Sequence, residues 1–237
     1  MSKSESVRVC IVIPSYNEEK ALGKVIDGLK KTLKKHPYDV TILCVDDSSR
    51  DATGGVALKH GATVIRHILN SGAGGATSTG LRYAKLQNFD IAATMDADGQ
   101  HDANDVVRGI SHLIKTNSDL LIGSRLINNE GMSRVKILGN KGLSFVTFLL
   151  FGVNSTDSQS GLRIFSSEAL DKLRWETSGY EFCSEMLWRA KQLNLTINEY
   201  PIKAIYTDYS KAKGQNNWNA INIVRSLVRR RFLEFFE

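Results

Sequence analysis

Proline is scarce in this chain, with three in 237 residues. That scarcity argues against long, disordered, proline-rich linkers. Cysteine is equally scarce: three residues, an odd count, with no metal-ligand spacing. A disulfide framework and a cysteine-bound metal are therefore not expected. Cys10 and Cys44 lie inside apolar runs and read as reduced core thiols of a reducing compartment, while Cys183 belongs to no motif. No stretch approaches the roughly 20 apolar residues a membrane-spanning helix needs. The longest candidate, Phe145 to Val153, is far shorter. The polar opening Met1 to Ser6 is not that of a secretory signal. Internal repeats, low-complexity segments and a second domain are also lacking. These absences leave a protein that is soluble or peripheral on a membrane, cytoplasmic in its expected location, with ample length for one core.

Charge is present and uneven. The net charge is +6, and Lys203 to Glu237 holds seven basic residues against three acidic ones. An anionic partner is expected at that end. The last segment, 211–237, reads as a basic amphipathic helix: Trp218, Ile221, Val224, Leu227, Val228, Phe232 and Phe235 fall near helical spacing, with Arg225, Arg229 and Arg230 off that stripe. Such a helix can lie in a membrane interface. It lacks the interleaved aromatic platform of a single-strand nucleic-acid binder, so nucleic acid is not an expected partner.

The first half alternates strand and helix patterns. Val7 to Ile13 is a near-continuous apolar run of the kind buried on both faces of a parallel sheet. It leads into Pro14-Ser15-Tyr16-Asn17-Glu18-Glu19, with Asn17 expected to cap a helix. Further strands are expected at Val40 to Val45, Ala62 to Arg66, Ile91 to Met95 and Leu120 to Arg125, with a helix from about Ala103 to Lys115. Beyond Gly131 the pattern predicts helices over Val135 to Gly152 and Phe182 to Leu193 and a strand over Tyr200 to Tyr206. The fold class is α/β, a mostly parallel Rossmann-like sheet flanked by helices, with ligands bound beyond the carboxyl ends of the strands.

The chemistry centres on Asp96-Ala97-Asp98-Gly99-Gln100-His101. In extended chain residues i and i+2 face one side, so both carboxylates can reach one ion. Hard cations take oxygen ligands and share their shell with substrate phosphates, and the Gln100 amide oxygen offers a third ligand. His101 is either a metal or phosphate contact or a plain loop histidine. Asp46 and Asp47 end another strand on the same rim, suited to ribose hydroxyls or a base edge, or else to turn capping. The glycines at Gly72, Gly74 and Gly75 are not a dinucleotide fingerprint, because Thr77 holds the last glycine position and the segment follows the third strand. Close packing and ligand contact are both open readings there.

Six motifs occur in order: Ile13 to Glu18, Val45 to Asp51, Asn70 to Gly80, Asp96 to His101, Gly123 to Arg125 and Asp157 to Arg163. Together they resemble the inverting family-two glycosyltransferases of GT-A fold, above all the polyprenyl (dolichyl) phosphate mannose and glucose synthases, over roughly residues 7 to 210. The resemblance implies a single GT-A-like catalytic domain over 1–210 with acceptor-side helices toward its C-terminal end. It implies Pro14, Tyr16, Glu18, Asp46 and Asp47 at the nucleoside and Gly72 and Ala97 lining the donor. It further implies Asp96, Asp98 and Gln100 around Mg²⁺ or Mn²⁺, with Asp98 central to catalysis. Arg125 and Arg134 become the acceptor-phosphate contacts, with Arg163, Lys211 and Lys213 as further candidates. The implied partners are an NDP-sugar of GDP-mannose or UDP-glucose type, a polyprenyl phosphate and the cytoplasmic face of a membrane. A saccharide or protein hydroxyl acceptor would instead need a general base, for which a carboxylate near Glu181 and Glu185 is the candidate. A catalytically silent sugar-nucleotide-binding protein is disfavoured by the presence of Asp96, Asp98 and Gln100.

Overall fold

The structure is a computed structural model and describes residues 6–129, 132–206 and 218–233. Seven strands form a single sheet in the order β3-β2-β1-β4-β6-β5-β7. They are β1 (Val7–Ser15), β2 (Tyr38–Asp46), β3 (Thr63–Arg66), β4 (Ile91–Thr94), β5 (Leu120–Ser124), β6 (Arg163–Ser166) and β7 (Ile197–Pro201). β6 runs antiparallel to both β4 and β5, and the other pairings are parallel.

Two apolar cores follow from the two-residue period of the strands. Cys10 and Val12 of β1 point into one core, Val9, Ile11 and Ile13 into the other. The first core is covered by α3 (Gly72–Leu86), α5 (Arg134–Phe151), α6 (Ser167–Lys172), α7 (Phe182–Gln192) and α8 (Trp218–Leu233). The second is covered by α1 (Leu22–Leu33), α2 (Thr53–Lys59) and α4 (Ala103–Thr116). The continuous apolar runs of β1, β2 and β5 are thus explained: both their faces are covered.

The structure corrects four local expectations. Asn17 does not cap α1, which begins at Leu22. Instead Asn17 takes a left-handed backbone (φ 55°), and its side-chain oxygen accepts the Arg50 amide at 2.8 Å. The final strand is Ile197–Pro201 rather than Tyr200 to Tyr206. Beyond it, residues 202–206 cross the sheet end, where the Ile205 amide donates to the Gln100 carbonyl at 3.1 Å. β6 was not anticipated, because four residues after a serine-rich loop carry too little periodicity to stand out. Finally, α8 is only partly an outward-facing helix: Ile223 and Leu227 are buried in the first core.

α5 has an unusual distribution. Its inner face carries small hydroxyls, Ser144 and Thr147, which bond Ser158 and Ser184 of the neighbouring loop and helix. Leu138, Phe145, Phe148 and Leu149 point outward and are exposed. Among the described residues no helix is long and apolar enough to cross a membrane.

Candidate active site

Parallel strands deliver their carboxyl ends to one rim, and β1, β2, β4, β5 and β7 do so here. β6 runs the other way, so its entrance loop, 157–162, arrives at that same rim. All six sequence motifs therefore converge on one edge of the sheet.

On one side, the loops after β1 and β2 are laced together. The Glu18 amide donates to Thr53 Oγ1 at 2.8 Å, and the Ala52 amide donates to the Glu19 carboxylate at 3.0 Å. Glu18 is buried in this seam and Tyr16 is exposed above it. Asp46 is fully buried, and its Oδ1 accepts the Ser49 amide at 2.9 Å, the turn-capping alternative of the sequence reading. Its Oδ2 makes no hydrogen bond, with Arg66 Nε 3.5 Å away. Asp47 reaches across to α3, where its carboxylate accepts from the amides of Ser71 and Gly72, both at 2.8 Å, and pairs with His67 at 2.7 Å. Burial works against its charge, but these donors hold its pKa below the usual carboxylate range.

The Gly72 to Gly75 segment serves packing at two of its positions. Gly72 has φ +77°, and a Cβ there or at Gly74 would overlap the carbonyls of Ser178 or Thr177. Those carbonyls belong to the connector between α6 and α7, residues 173–181. A cavity of about 750 Å³ opens between this connector and the outer face of α3, lined by Arg66, His67, Ser71, Thr79, Trp175 and Thr177 among others. Asp96, Asp98 and Gln100 do not line it.

The acids lie just beyond β4. Half of the Asp96 side chain is exposed (52 %), and its Oδ2 is 3.0 Å from Nε2 of the buried His101. Crowding by protein works against the Asp96 charge, but His101 together with Arg125 and Arg163 holds its pKa below normal. Asp98 moves the other way: burial, and then the charge of Asp96, push its pKa up. Two carboxylates of which one resists ionising, beside an amide oxygen, make an all-oxygen donor set suited to a hard cation. Gln100 currently donates its Nε2 to Asp98 Oδ2, so its amide must turn to offer oxygen. No cluster of three or more His, Cys, Asp or Glu side chains suited to a metal occurs among the described residues. Phosphate and water oxygens would thus complete the shell around Asp96, Asp98 and Gln100. Gly161 stands behind this pair, because a Cβ there would collide with the Asp96 carboxylate.

Arg125 follows β5 directly, on the same rim as Asp96, and its charge bears on that carboxylate. Its Nε and Nη2 donate to the fully buried Asp157 at 2.7 and 2.9 Å, and its own amide adds a third bond at 3.1 Å. Burial disfavours the guanidinium charge, but Asp157 more than offsets it and raises the pKa. The 155–160 loop can be both polar and buried because its groups are paired: Glu199 of β7 accepts from Ser155 Oγ at 2.7 Å and from the Thr156 amide at 2.9 Å.

Two expectations need correction. Arg163 is buried, and it donates to the carbonyls of Ser158, Ser160 and Cys183. It therefore holds the 157–162 loop rather than offering a surface phosphate contact. Glu185 is also fully buried, accepting the amides of Glu176 and Thr177 at 3.2 and 2.8 Å beside Arg189. A carboxylate so engaged has no path to a substrate proton. Arg134 opens α5 and is exposed, while Pro14 and Ala97 are partly and fully covered walls. Lys211 and Lys213 lie outside the described residues. Two residues were missed. Asp157 opens the sixth motif, but nothing in the sequence pairs it with Arg125. Tyr180 is half exposed on the connector between α6 and α7, and burial, then the charges of Asp96, Cys183, Glu18 and Asp98, push its phenol pKa up.

A mixed, mostly parallel sheet of this order, flanked by helices and with an acidic pair beyond β4, is the GT-A fold. The sequence profile of Glycosyl transferase family 2 matches residues 10–174, and the chain belongs to that family. It is similar to the UDP-N-acetylglucosamine--dolichyl-phosphate N-acetylglucosaminyltransferase of Methanococcus voltae, at 42% identity over 88% of this chain and 90% of that one. It is also similar to the undecaprenyl-phosphate mannosyltransferase of Micrococcus luteus, at 30% identity over 87% of each. Among solved structures, glucosyl-3-phosphoglycerate synthase of Mycobacterium tuberculosis, crystallised with Mn²⁺, UDP-glucose and phosphoglyceric acid, superposes with a TM-score of 0.67 at 21% identity, over 93% of this chain and 79% of that one.

Proposed function

We propose that this protein transfers a sugar from a nucleoside diphosphate sugar to a polyprenyl phosphate. The observation that supports the reading is that Arg125, fixed by Asp157, and the acids Asp96 and Asp98 follow strands that end on one rim of the sheet. Asp96, Asp98 and Gln100 hold Mg²⁺ or Mn²⁺, as the manganese in the M. tuberculosis neighbour supports. A cation held there would supply charge neutralisation for the departing nucleoside diphosphate. The residues of this chain do the rest. Tyr16 and the laced loops around Glu18 and Asp46 seat the nucleoside, and Tyr180 covers the sugar. Arg125 and Arg134 hold the acceptor phosphate for in-line attack. A phosphate monoester has a second pKa of about 6, so it arrives as an anion and needs no general base. The engagement of Glu185 elsewhere fits that economy.

Mannose and glucose donors were the sequence-based expectation. The 42% identity to a UDP-N-acetylglucosamine enzyme supports UDP-N-acetylglucosamine as a further donor of first choice. A peripheral seat on the cytoplasmic side of a membrane suits the lipid acceptor. The outward Leu138, Phe145, Phe148 and Leu149 of α5, and the exposed Val228 and Phe232 of α8, which packs beside it, supply its apolar contact.

The test incubates the protein with Mn²⁺, a short-chain polyprenyl phosphate and radiolabelled UDP-N-acetylglucosamine, UDP-glucose or GDP-mannose in turn. Label in the organic phase from one donor, lost on adding EDTA, is the expected result. Transfer to a saccharide hydroxyl but not to the lipid phosphate would overturn the reading.

A further inference from the structure

The connector 173–181 lies across the rim and carries Trp175, Thr177 and Tyr180. It is fastened to α3, where the Trp175 indole donates to the Gly74 carbonyl at 3.1 Å and the Gly74 amide donates to the Ser178 carbonyl at 2.7 Å. It is fastened to α7 through Glu185, which accepts its amides at Glu176 and Thr177. The third fastening comes from the C-terminal helix. Arg230 of α8 places Nη1 2.8 Å from the Glu176 carboxylate and Nε 3.7 Å from that of Glu185.

That contact is out of keeping with the rest of α8. Arg225 and Arg229 are exposed, as a basic surface helix requires, whereas the Arg230 side chain is only 10% exposed. Burying a guanidinium is costly unless it meets an anion, and Arg230 meets Glu176 closely and the buried Glu185, which Arg189 shares, at longer range. Glu185 in turn carries the two amides that set the path of the connector toward Tyr180. Seating α8 and setting the connector are therefore a single electrostatic event, shared by one carboxylate.

We propose that Arg230 is a positioning residue: through Glu176 and Glu185 it transmits the seating of α8 to the 173–181 connector, which carries Tyr180. On a lipid surface that engages Val228 and Phe232, the opposite side of the same helix tightens the site. Catalysis then rises on contact with the membrane. The kinetic side of this inference rests on the glycosyl-transfer reading, and the exchange of connector amides does not.

The experiment compares wild type with Arg230→Gln, Arg230→Lys, Glu176→Gln and Leu29→Ala. Leu29 is buried in the opposite core, so its truncation costs stability without touching the connector. Hydrogen exchange across 173–181 and transfer kinetics are read with and without anionic vesicles. In Arg230→Gln, exchange at the Glu176 and Thr177 amides should rise about tenfold or more, the scale of a lost hydrogen bond to a charged group. Its kcat should fall by a similar factor with little change in KM for the sugar nucleotide, and vesicle stimulation should disappear while vesicle binding persists. Arg230→Lys should restore most of both, Glu176→Gln should give a smaller change in the same direction, and Leu29→Ala should change neither. Wild-type exchange in both Arg230→Gln and Glu176→Gln, no recovery with lysine, or the same pattern in Leu29→Ala would overturn the proposal. Should Arg230→Gln not fold, Glu176→Gln decides. A wild type that transfers no sugar would defeat the functional reading, while the exchange data would still judge the coupling.

Discussion

Asp157 is the most informative residue to perturb. It is fully buried, and Arg125, with a side chain 17% exposed, spends three donors on it. Asp157→Ala leaves that guanidinium without its counterion, a change that costs about 3–5 kcal/mol for a buried pair. Arg125 keeps its attraction to Asp96 and some water, so the lower end, near 3 kcal/mol, is expected. For a domain of this size each kcal/mol moves Tm by about 2–4 °C, giving a drop of roughly 6–12 °C. The assay is a double-mutant cycle by urea unfolding with Asp157→Ala, Arg125→Ala and the double variant. If the pair acts as a unit, the coupling energy is about 2 kcal/mol or more and the double variant is hardly worse than Asp157→Ala. Asp157→Ala should also lose transfer activity despite never touching substrate, because Arg125 is no longer aimed at the cleft. Additive single effects, within about 0.5 kcal/mol, would show that the two residues are merely neighbours.

Asp98→Ala should abolish transfer while leaving the unfolding free energy within about 0.5 kcal/mol of wild type, since its side chain sits at the rim; full activity in that variant would remove the metal-assisted mechanism. The thiols should be silent: burial pushes Cys10 up to about 12 and Cys44 and Cys183 up to about 11. A disulfide reagent at pH 8 should therefore label all three only in denaturant, and prompt labelling of any one in the folded protein would contradict its placement. Replacing the exposed Arg225 and Arg229 by Gln should weaken binding to anionic vesicles by about 2 kcal/mol at most, and less in high salt. Equal co-sedimentation of variant and wild type would mean that this face of α8 meets water.

Much of the architecture was readable because it rests on strong local signals. Unbroken apolar runs announced β1, β2 and β5, and Asp-x-Asp after a fourth run placed the acids. What escaped was decided by long-range pairing. Asp157 looks like any aspartate in a serine-rich loop until β6 turns back and sets it beneath Arg125. Arg163 reads as a surface cation, and only the carbonyls of Ser158, Ser160 and Cys183 make it interior. Arg230 falls off the apolar stripe of its helix and so reads as part of a basic face toward an anionic membrane, because periodicity sees hydrophobicity and is blind to a buried anion across the interface. The Gly72 and Gly74 positions were ambiguous for a similar reason: the chain that presses on them comes a hundred residues later.

The reversed course of β6 also shapes how the protein must come into being. β4 and β5 are successive strands, yet they never touch; the place between them is filled by a strand lying beyond α5. A chain synthesised only as far as α5 thus has the four-stranded sheet β3-β2-β1-β4 and a β5 with no strand partner, each with an edge facing the gap that β6 fills and capable of pairing with the wrong neighbour. Insertion of β6 closes both edges and brings Gly161 behind Asp96 and Asp157 beneath Arg125 in one stroke. Acquiring a continuous sheet and acquiring a competent cleft are then the same late, non-local event. A nascent or truncated chain passes through synthesis with its acids in place and no means of using them.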